Sequence, residues 1–487
     1  MRKPLYLLGA AVLLVVALVV FRTARFGSTR PAVEPAPHVT IRDGAAARLA
    51  GSLRIRTISN EDPAAFDAQA FRNLHVYLET AFPRVHSQLR REVVATHSLL
   101  YTWLGTDTSL QPVLLMGHLD VVPVEHGTEK QWKQDPFGGL VADGFIWGRG
   151  AIDNKATVVG TLEAVEMLLS EGFRPKRTVY LAFGHDEELG GTKGAREIAA
   201  LLTQRGVKLQ MVVDEGGVIG QGIVPGVSAP TALVGIAEKG FASLELSVRA
   251  AGGHSSLPPP QSAIGILSAA IARLEAQQMP ARLEVPTRLL FERIGAQLPF
   301  AQRVVFANLW LGRPLVLRSL EGSPATNAMV RTTTAVTVFQ AGTKDNVLPA
   351  HARAVLNFRL LQGDSVAGVV EHARRVIDDA RIEIRTAGAF AAEPSAVSSA
   401  EDATFKALER TIRSVAPDAI VAPYPVVVVT DARHYSGLSR NIFRFLPLRL
   451  SSGDLARMHG TDERVAVRDY EGAIRFYRHL IASAATN

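Results

Sequence analysis

Three times in this chain a short apolar run stops and a histidine or an acid follows within a few residues. Residues 113–116 lead to His118 and Asp120, residues 178–183 to Glu187 and Glu188, and residues 209–213 to Asp214. Apolar runs of this length, bounded by turn residues, match buried strands. Between them, residues 155–169 and 192–202 carry helical apolar spacing, and the first of these ends near Gly172 and Pro175. Strands alternating with helices restrict the chain to the α/β class, a mostly parallel sheet with helices on both faces. In such sheets, sites form beyond the carboxyl ends of the strands. His118, Glu187 and Asp214 all stand there.

The texture changes after Gly240. Residues 242–248 and 352–361 alternate like half-buried antiparallel strands, residues 333–339 are strand-like, and residues 263–274 are helical. This pattern predicts an α+β lid domain inserted at 240–365 between the two parts of the main domain, 43–239 and 366–487. Within the insertion, residues 290–320 are unusually apolar. The main domain is expected to add a helix at 64–82. After the lid it resumes with a helix at 365–378, a strand at 426–429 and a closing helix at 469–482. No internal repeat is present.

At the amino terminus, residues 4–21 carry no charge. At a helical rise of roughly 1.5 Å per residue they span about 27 Å, close to a hydrocarbon core. Arg22, Thr23, Ala24 and Arg25 follow and offer no small-residue cleavage site. The expectation is therefore an uncleaved membrane anchor at 1–26 and a Pro-rich tether at 27–42. Basic residues flank both ends of the anchor, so they do not orient it. The net charge of +7 comes without a basic run interleaved with aromatics, and no nucleic acid partner is expected. The absence of cysteine removes thiolate ligands and a thiol nucleophile.

The chemistry lies in the residues at the strand ends. On an extended segment His118 and Asp120 point the same way, so the acid can orient the ring of a metal-binding histidine. Adjacent Glu187 and Glu188 repel each other unless a cation relieves them, and one can ligate while the other stays a base. Asp153, before Lys155, reads either as a helix N-cap or as a ligand, and His459 alone reads as a loop histidine. Taken together, two histidines and several carboxylates suit two zinc ions, with cobalt or manganese also compatible.

Eight motifs then occur in order: GHLDVVP, WGRGAIDNK, GHDEELGG, VVDEGG, GGHSS, NVLPAHARAVLNFR, TDARHY and MHGTDERV. In this the chain resembles the co-catalytic zinc hydrolases that include carboxypeptidase S, the aminoacylases, glutamate carboxypeptidase and the N-fatty-acyl-amino-acid synthase/hydrolases. Its anchor and long apolar insertion are most similar to the carboxypeptidase S branch. The resemblance implies a zinc-exopeptidase type of fold and hydrolysis of an amide whose amine half is an amino acid with a free carboxylate. It implies that Asp153 bridges two metals, with His118 and Asp214 on one and Glu188 and His459 on the other. Glu187 would be the general base and Asp120 the orienting acid. Asn346 and Arg359 would bind the substrate carboxylate, and His254 would stabilise the oxyanion. Asn154 and Asn357 stand where many members carry acids, which bears on substrate choice. The resembled branch also implies a catalytic body outside the cytoplasm.

The substrate is expected to be a small molecule or peptide, and the oligomeric state is left open. An apolar cluster formed by Phe300, Val304, Val305, Phe306, Leu309, Trp310 and Leu311, with Leu315, Val316 and Leu317 close behind, is the expected acyl groove, with packing of the lid's own core or of its contact with a second subunit as the alternative. A catalytically inactive, membrane-tethered binding protein on the same fold would lack a ligand or the base, and none is missing. A serine hydrolase would need a G-x-S-x-G elbow, and none is present.

Overall fold

The computed structural model describes residues 2–27, 33–60, 62–224 and 226–485. Its centre is a ten-stranded mixed sheet whose middle is parallel. Strand Val113–His118 lies between Val179–Gly184 and Met211–Asp214, parallel to both, and Met211–Asp214 continues in parallel to Ile442–Arg444. All six residues of Val113–His118 are buried, as expected of a strand covered on both faces. Helix Lys155–Ser170 packs on this sheet beside the closing helix Val467–Ala484. A parallel centre aligns the carboxyl ends of successive strands on one edge, so His118, Gly184 and Asp214 reach it together.

The lid is a four-stranded antiparallel sheet in the order Thr333–Ala341, His351–Leu360, Gly240–Arg249, Ile382–Ala392. Helices Ala263–Ala276 and Val366–Ile377 pack against it. In His351–Leu360, buried Ala352, Ala354, Leu356, Phe358 and Leu360 alternate with more open positions, including Arg359. This is the period-two signature of a sheet with one covered face.

Three expectations are corrected here. The lid's edge strand is Ile382–Ala392, so the insertion runs past the expected boundary at 365 and takes in the helix assigned to the main domain. The apolar run 426–429 is not a strand. The strand is Ile420–Val426, paired in parallel with Thr231–Glu238, and the rest of the run leaves the sheet as a loop. Finally, helix Val285–Ile294, which runs into the apolar segment, packs on strand Ile420–Val426 of the main sheet. Its Leu290 and Ile294 share an apolar cluster with Leu233 and Ala422, away from the lid's core.

Candidate active site

His118 closes its strand fully buried. Its Nε2 lies 2.9 Å from Asp153 Oδ1 and 3.2 Å from Glu215 Oε1. On its other edge, Nδ1 is 3.3 Å from Asp120 Oδ1 and 3.0 Å from the Asp120 carbonyl. The Asp120 carboxylate also accepts the backbone N–H groups of Glu187 and Glu188, at 3.2 Å each. One acid therefore fixes both the ring and the turn that carries the two glutamates. His459 Nε2 lies 3.1 Å from Asp153 Oδ2 and 3.2 Å from Glu188 Oε1. Asp153 thus stands between the two imidazoles and turns one oxygen to each.

The loops that hold this arrangement are tied to each other from behind. Arg149 Nη1 pairs with Glu463 Oε2 at 2.6 Å, and Arg149 Nη2 donates to the carbonyls of His459 and Gly460. Glu463 Oε1 accepts the N–H groups of Ile152 and Asp153, at 2.8 and 3.2 Å. This buried pair clamps the His459 turn against the Asp153 loop. Asn154 donates to Glu215 and so holds the far oxygen of that acid.

Electrostatics shows what the cluster lacks. Five carboxylates (Asp120, Asp153, Glu187, Glu188 and Glu215) gather around two imidazoles. Burial pushes Glu187 well above the usual carboxylate range, and Glu215, Asp431 and Glu188 add to the rise. Burial, then the charge of Asp153, pushes Glu215 up to about 8. Hydrogen bonds to Asp153 and Glu188 push His459 up to about 10. Burial opposes a charged His118, but Glu215, Asp120 and Asp153 outweigh it and raise the ring well above its ordinary value. Ligand-type atoms of His118, Glu187 and Glu215 lie within 4.8 Å of one another, as do those of His118, Asp153 and Glu188. A cysteine-free set of nitrogen and oxygen donors short of positive charge fits divalent cations.

A cavity of about 870 Å³ opens beside the cluster. Asp153, Glu187, Glu188, Glu215 and His459 line one part, and the lid contributes Phe241, Ser243 and Arg359. Apolar wall comes from Ile223, Leu233, Tyr424, Val426, Leu446 and Met458, and the loop residues Val427, Val428 and Val429 also line it.

A family model described as "Peptidase family M20/M25/M40" matches residues 114–483. The chain belongs to this peptidase family. It is 42% identical over 478 residues to "Probable carboxypeptidase S-like 2" of Dictyostelium discoideum, covering 96% of this chain and 91% of that protein. To "N-fatty-acyl-amino acid synthase/hydrolase PM20D1" of Mus musculus it is 41% identical over 444 residues, covering 90% and 87%. Among solved structures, an M20 family metallo-carboxypeptidase, Sso-CP2 from Sulfolobus solfataricus, superposes with a TM-score of 0.67 at 18% identity, covering 91% of this chain and 99% of that one. The fold is thus that of the M20 peptidases, and the protein is a hydrolytic enzyme of a family whose metallopeptidases depend on metal.

In this M20 peptidase most of the expected site residues converge: His118, Asp120, Asp153, Glu187, Glu188 and His459 at the cluster, and Arg359 on the cavity wall. Asp214 is a correction. Neighbouring residues leaving a strand point to opposite sides, and Glu215 takes the place beside His118. The Asp214 carboxylate instead accepts the N–H of Ala432 at 2.8 Å, and burial raises it to about 6. His254 and Asn346 lie apart from the cluster. Both are exposed on the ribbon where Gly253–His254 pairs with Val347–Leu348, and neither lines the cavity. The expected groove residues Phe300, Trp310 and Leu311 are exposed and also lie off the cavity.

Sequence reasoning missed Glu215, Arg149 and Glu463. Each sits inside a motif already singled out, so an opposite-charge pairing of Arg149 with Glu463 was a signal available in the sequence. Asp431, in TDARHY, was also unassigned. It is buried, neither carboxylate oxygen has a hydrogen-bond partner among the described residues, and the charge of Asp214 adds to burial in raising it well above the usual range.

Proposed function

We propose that this enzyme is an N-acyl-amino-acid amidohydrolase that takes long apolar acyl groups and uses two zinc ions. The observation that carries this reading is Asp153, one oxygen toward each imidazole, beside a cavity with a mostly apolar wall and a guanidinium across from it. His118, Asp153 and Glu215 would hold one ion, and Asp153, Glu188 and His459 the other. Cobalt or manganese would suit the same donors. When bound, the ions supply Lewis acidity to the scissile carbonyl and acidify a water.

The chain's own residues do the remaining work. Arg359 offers a planar fork to the free carboxylate of the amino-acid half. Its Cζ lies 4.8 Å from the Phe241 ring centroid, which fixes the plane of the guanidinium. Glu187, whose proton affinity burial raises, takes a proton from the attacking water and returns it to the leaving nitrogen. Asp120 keeps the Glu187 turn and the His118 ring in register. His254 and Asn346 would reach a substrate only through a lid movement or from a second copy of the chain. The reverse condensation uses the same groups.

The acyl half would lie along Ile223, Leu233, Tyr424, Leu446 and Met458. Each buried methylene contributes up to about 0.8 kcal/mol, so kcat/KM should rise several-fold per two carbons. A panel of acetyl to dodecanoyl amino acids alongside peptides with the same C-terminal residue tests this. A flat response to chain length with brisk peptide cleavage would replace the acyl reading with a plain carboxypeptidase.

Helix Arg2–Arg25, with Tyr6–Arg25 long and apolar enough to cross a membrane, is read as a retained anchor with the catalytic body outside the cytoplasm. The support is the fit of its last turn to the body: Thr23 is buried, and Phe26 packs on Gly295. Mass spectrometry of the mature N-terminus tests retention. Protease accessibility on intact spheroplasts tests the side.

A further inference from the structure

The apolar residues expected to line a groove are instead displayed on the surface. Helices Phe300–Ala307 and Leu309–Leu320 form a hairpin with its bend at Asn308. Phe300, Trp310, Leu311 and Leu315 on it are 70%, 52%, 62% and 68% exposed. Side chains of this kind on a soluble surface call for a partner.

The place of the hairpin says what the partner is. Asn308 Nδ2 donates to Thr23 Oγ1 at 3.2 Å and to the Val19 carbonyl at 3.5 Å. Arg22 Nε donates to the Ala307 carbonyl at 3.3 Å. The bend is therefore fastened to the last two turns of the apolar helix, where the uncharged stretch gives way to Arg22 and Arg25. Leu311 and Leu315 lie within two turns of that bend, about 10 Å along the helix. Arg313 and Arg318, both exposed, and Arg303, which lies over the Phe300 ring, put cations among the apolar side chains. Aromatic and aliphatic side chains mixed with arginine suit the boundary of a lipid bilayer, where anionic headgroups meet the acyl chains.

We propose that this hairpin lies in the membrane interface as a second contact beside the anchor, with Phe300, Trp310, Leu311 and Leu315 immersed in lipid. The proposal rests on Tyr6–Arg25 being embedded in the bilayer. It would hold the body against the surface. The apolar layer between hairpin and sheet includes Phe26, Leu233, Phe306 and Tyr424, and Leu233 and Tyr424 also face the active-site cavity. A membrane-dissolved acyl substrate would then enter on the side where the enzyme is moored.

The chain has no cysteine, so single introduced thiols can be labelled without background. Full-length Leu14→Cys, Leu311→Cys, Leu315→Cys and Val76→Cys variants, each carrying an environment-sensitive fluorophore, are reconstituted into phosphatidylcholine–phosphatidylglycerol vesicles with nitroxide-bearing lipids. Leu14 lies in the anchor, and Val76 is exposed on helix Ala68–Ala81 as the reference for a solvated position. The expected result is a blue shift and about twofold quenching by shallow nitroxides at 311 and 315, deep quenching at 14 and neither at 76. Quenching at 14 with solvent-like signals at 311 and 315 overturns the hairpin contact while leaving the anchor intact. A blue shift at 311 and 315 without lipid quenching assigns the face to a second copy or another protein, and also overturns it. No quenching at 14 overturns the membrane reading of the anchor together with the proposal. None of these outcomes touches the amidohydrolase reading, which the acyl panel tests separately.

Discussion

Two groups of buried acids lie close together in this protein and are treated in opposite ways. On helix Lys155–Ser170, Glu163 and Glu166 are fully buried, yet each has fixed cations. Arg42 and Arg48 bind Glu163, and Arg42 and Arg84 lie 3.6 and 3.5 Å from Glu166, which also accepts the N–H groups of Arg84 and Val85. Just ahead of the same helix, Asp120, Asp153, Glu187, Glu188 and Glu215 have two histidines and, among the described residues, no arginine or lysine in ion-pair contact. Burying a carboxylate costs several kcal/mol unless it is paired. The first group meets that cost with the chain's own residues. The second leaves it open, and the raised proton affinities of Glu187, Glu188 and Glu215 mark a place kept for cations supplied from outside.

The largest expected effect removes the base and leaves the ligands. Glu187→Gln should lower kcat by at least about 100-fold while metal analysis finds unchanged occupancy. A smaller loss, or lost metal, would erase the proposed division of labour between Glu187 and Glu188. On the compensated side, Arg48→Met should leave Glu163 short of charge. Denaturant unfolding is expected to show a loss of about 3 kcal/mol, with kcat of the folded enzyme unchanged. A comparable fall in kcat would mean that the two acid groups are coupled.

The next effect separates neighbours. Glu215→Ala should weaken metal affinity by about 10- to 100-fold, measured by competition with a chelator. Asp214→Asn should alter it less, because Asp214 faces Ala432. The reverse ranking would restore Asp214 to the metal site. The smallest effect concerns a partly exposed pair, Arg205 and Glu92, 2.6 Å apart. Arg205 holds Glu92 below its ordinary value of 4.5. The pair therefore stabilises the fold above that value, and its contribution disappears as pH falls through the lowered folded value. Glu92→Gln should cost less than about 1 kcal/mol at pH 7 and nothing at acidic pH, read from urea midpoints at both.

The sequence alone determined the class of fold and named most of the side chains that the fold brings together at the cluster. Strand and helix periods are local, so Val113–His118, Val179–Gly184 and Lys155–Ser170 were legible to within a residue or two. The motif residues His118, Asp153, Glu187, Glu188 and His459 were named together through the family resemblance of their motifs; Asp153 and His459 alone read as a helix cap and a loop histidine. Tertiary structure decided what local patterns cannot carry. The direction of side chains leaving a strand end placed Glu215 at His118 and turned Asp214 away. A long-range strand pairing moved Ile382–Ala392 into the lid, because its partner Gly240–Arg249 lies far back in the chain. Apolar content between 290 and 320 was plain in the sequence, but its use was not. Hydrophobicity says that a residue tends to leave water, and only the packing of Asn308 against Thr23 shows that the hairpin sits beside the N-terminal apolar helix, not inside the lid.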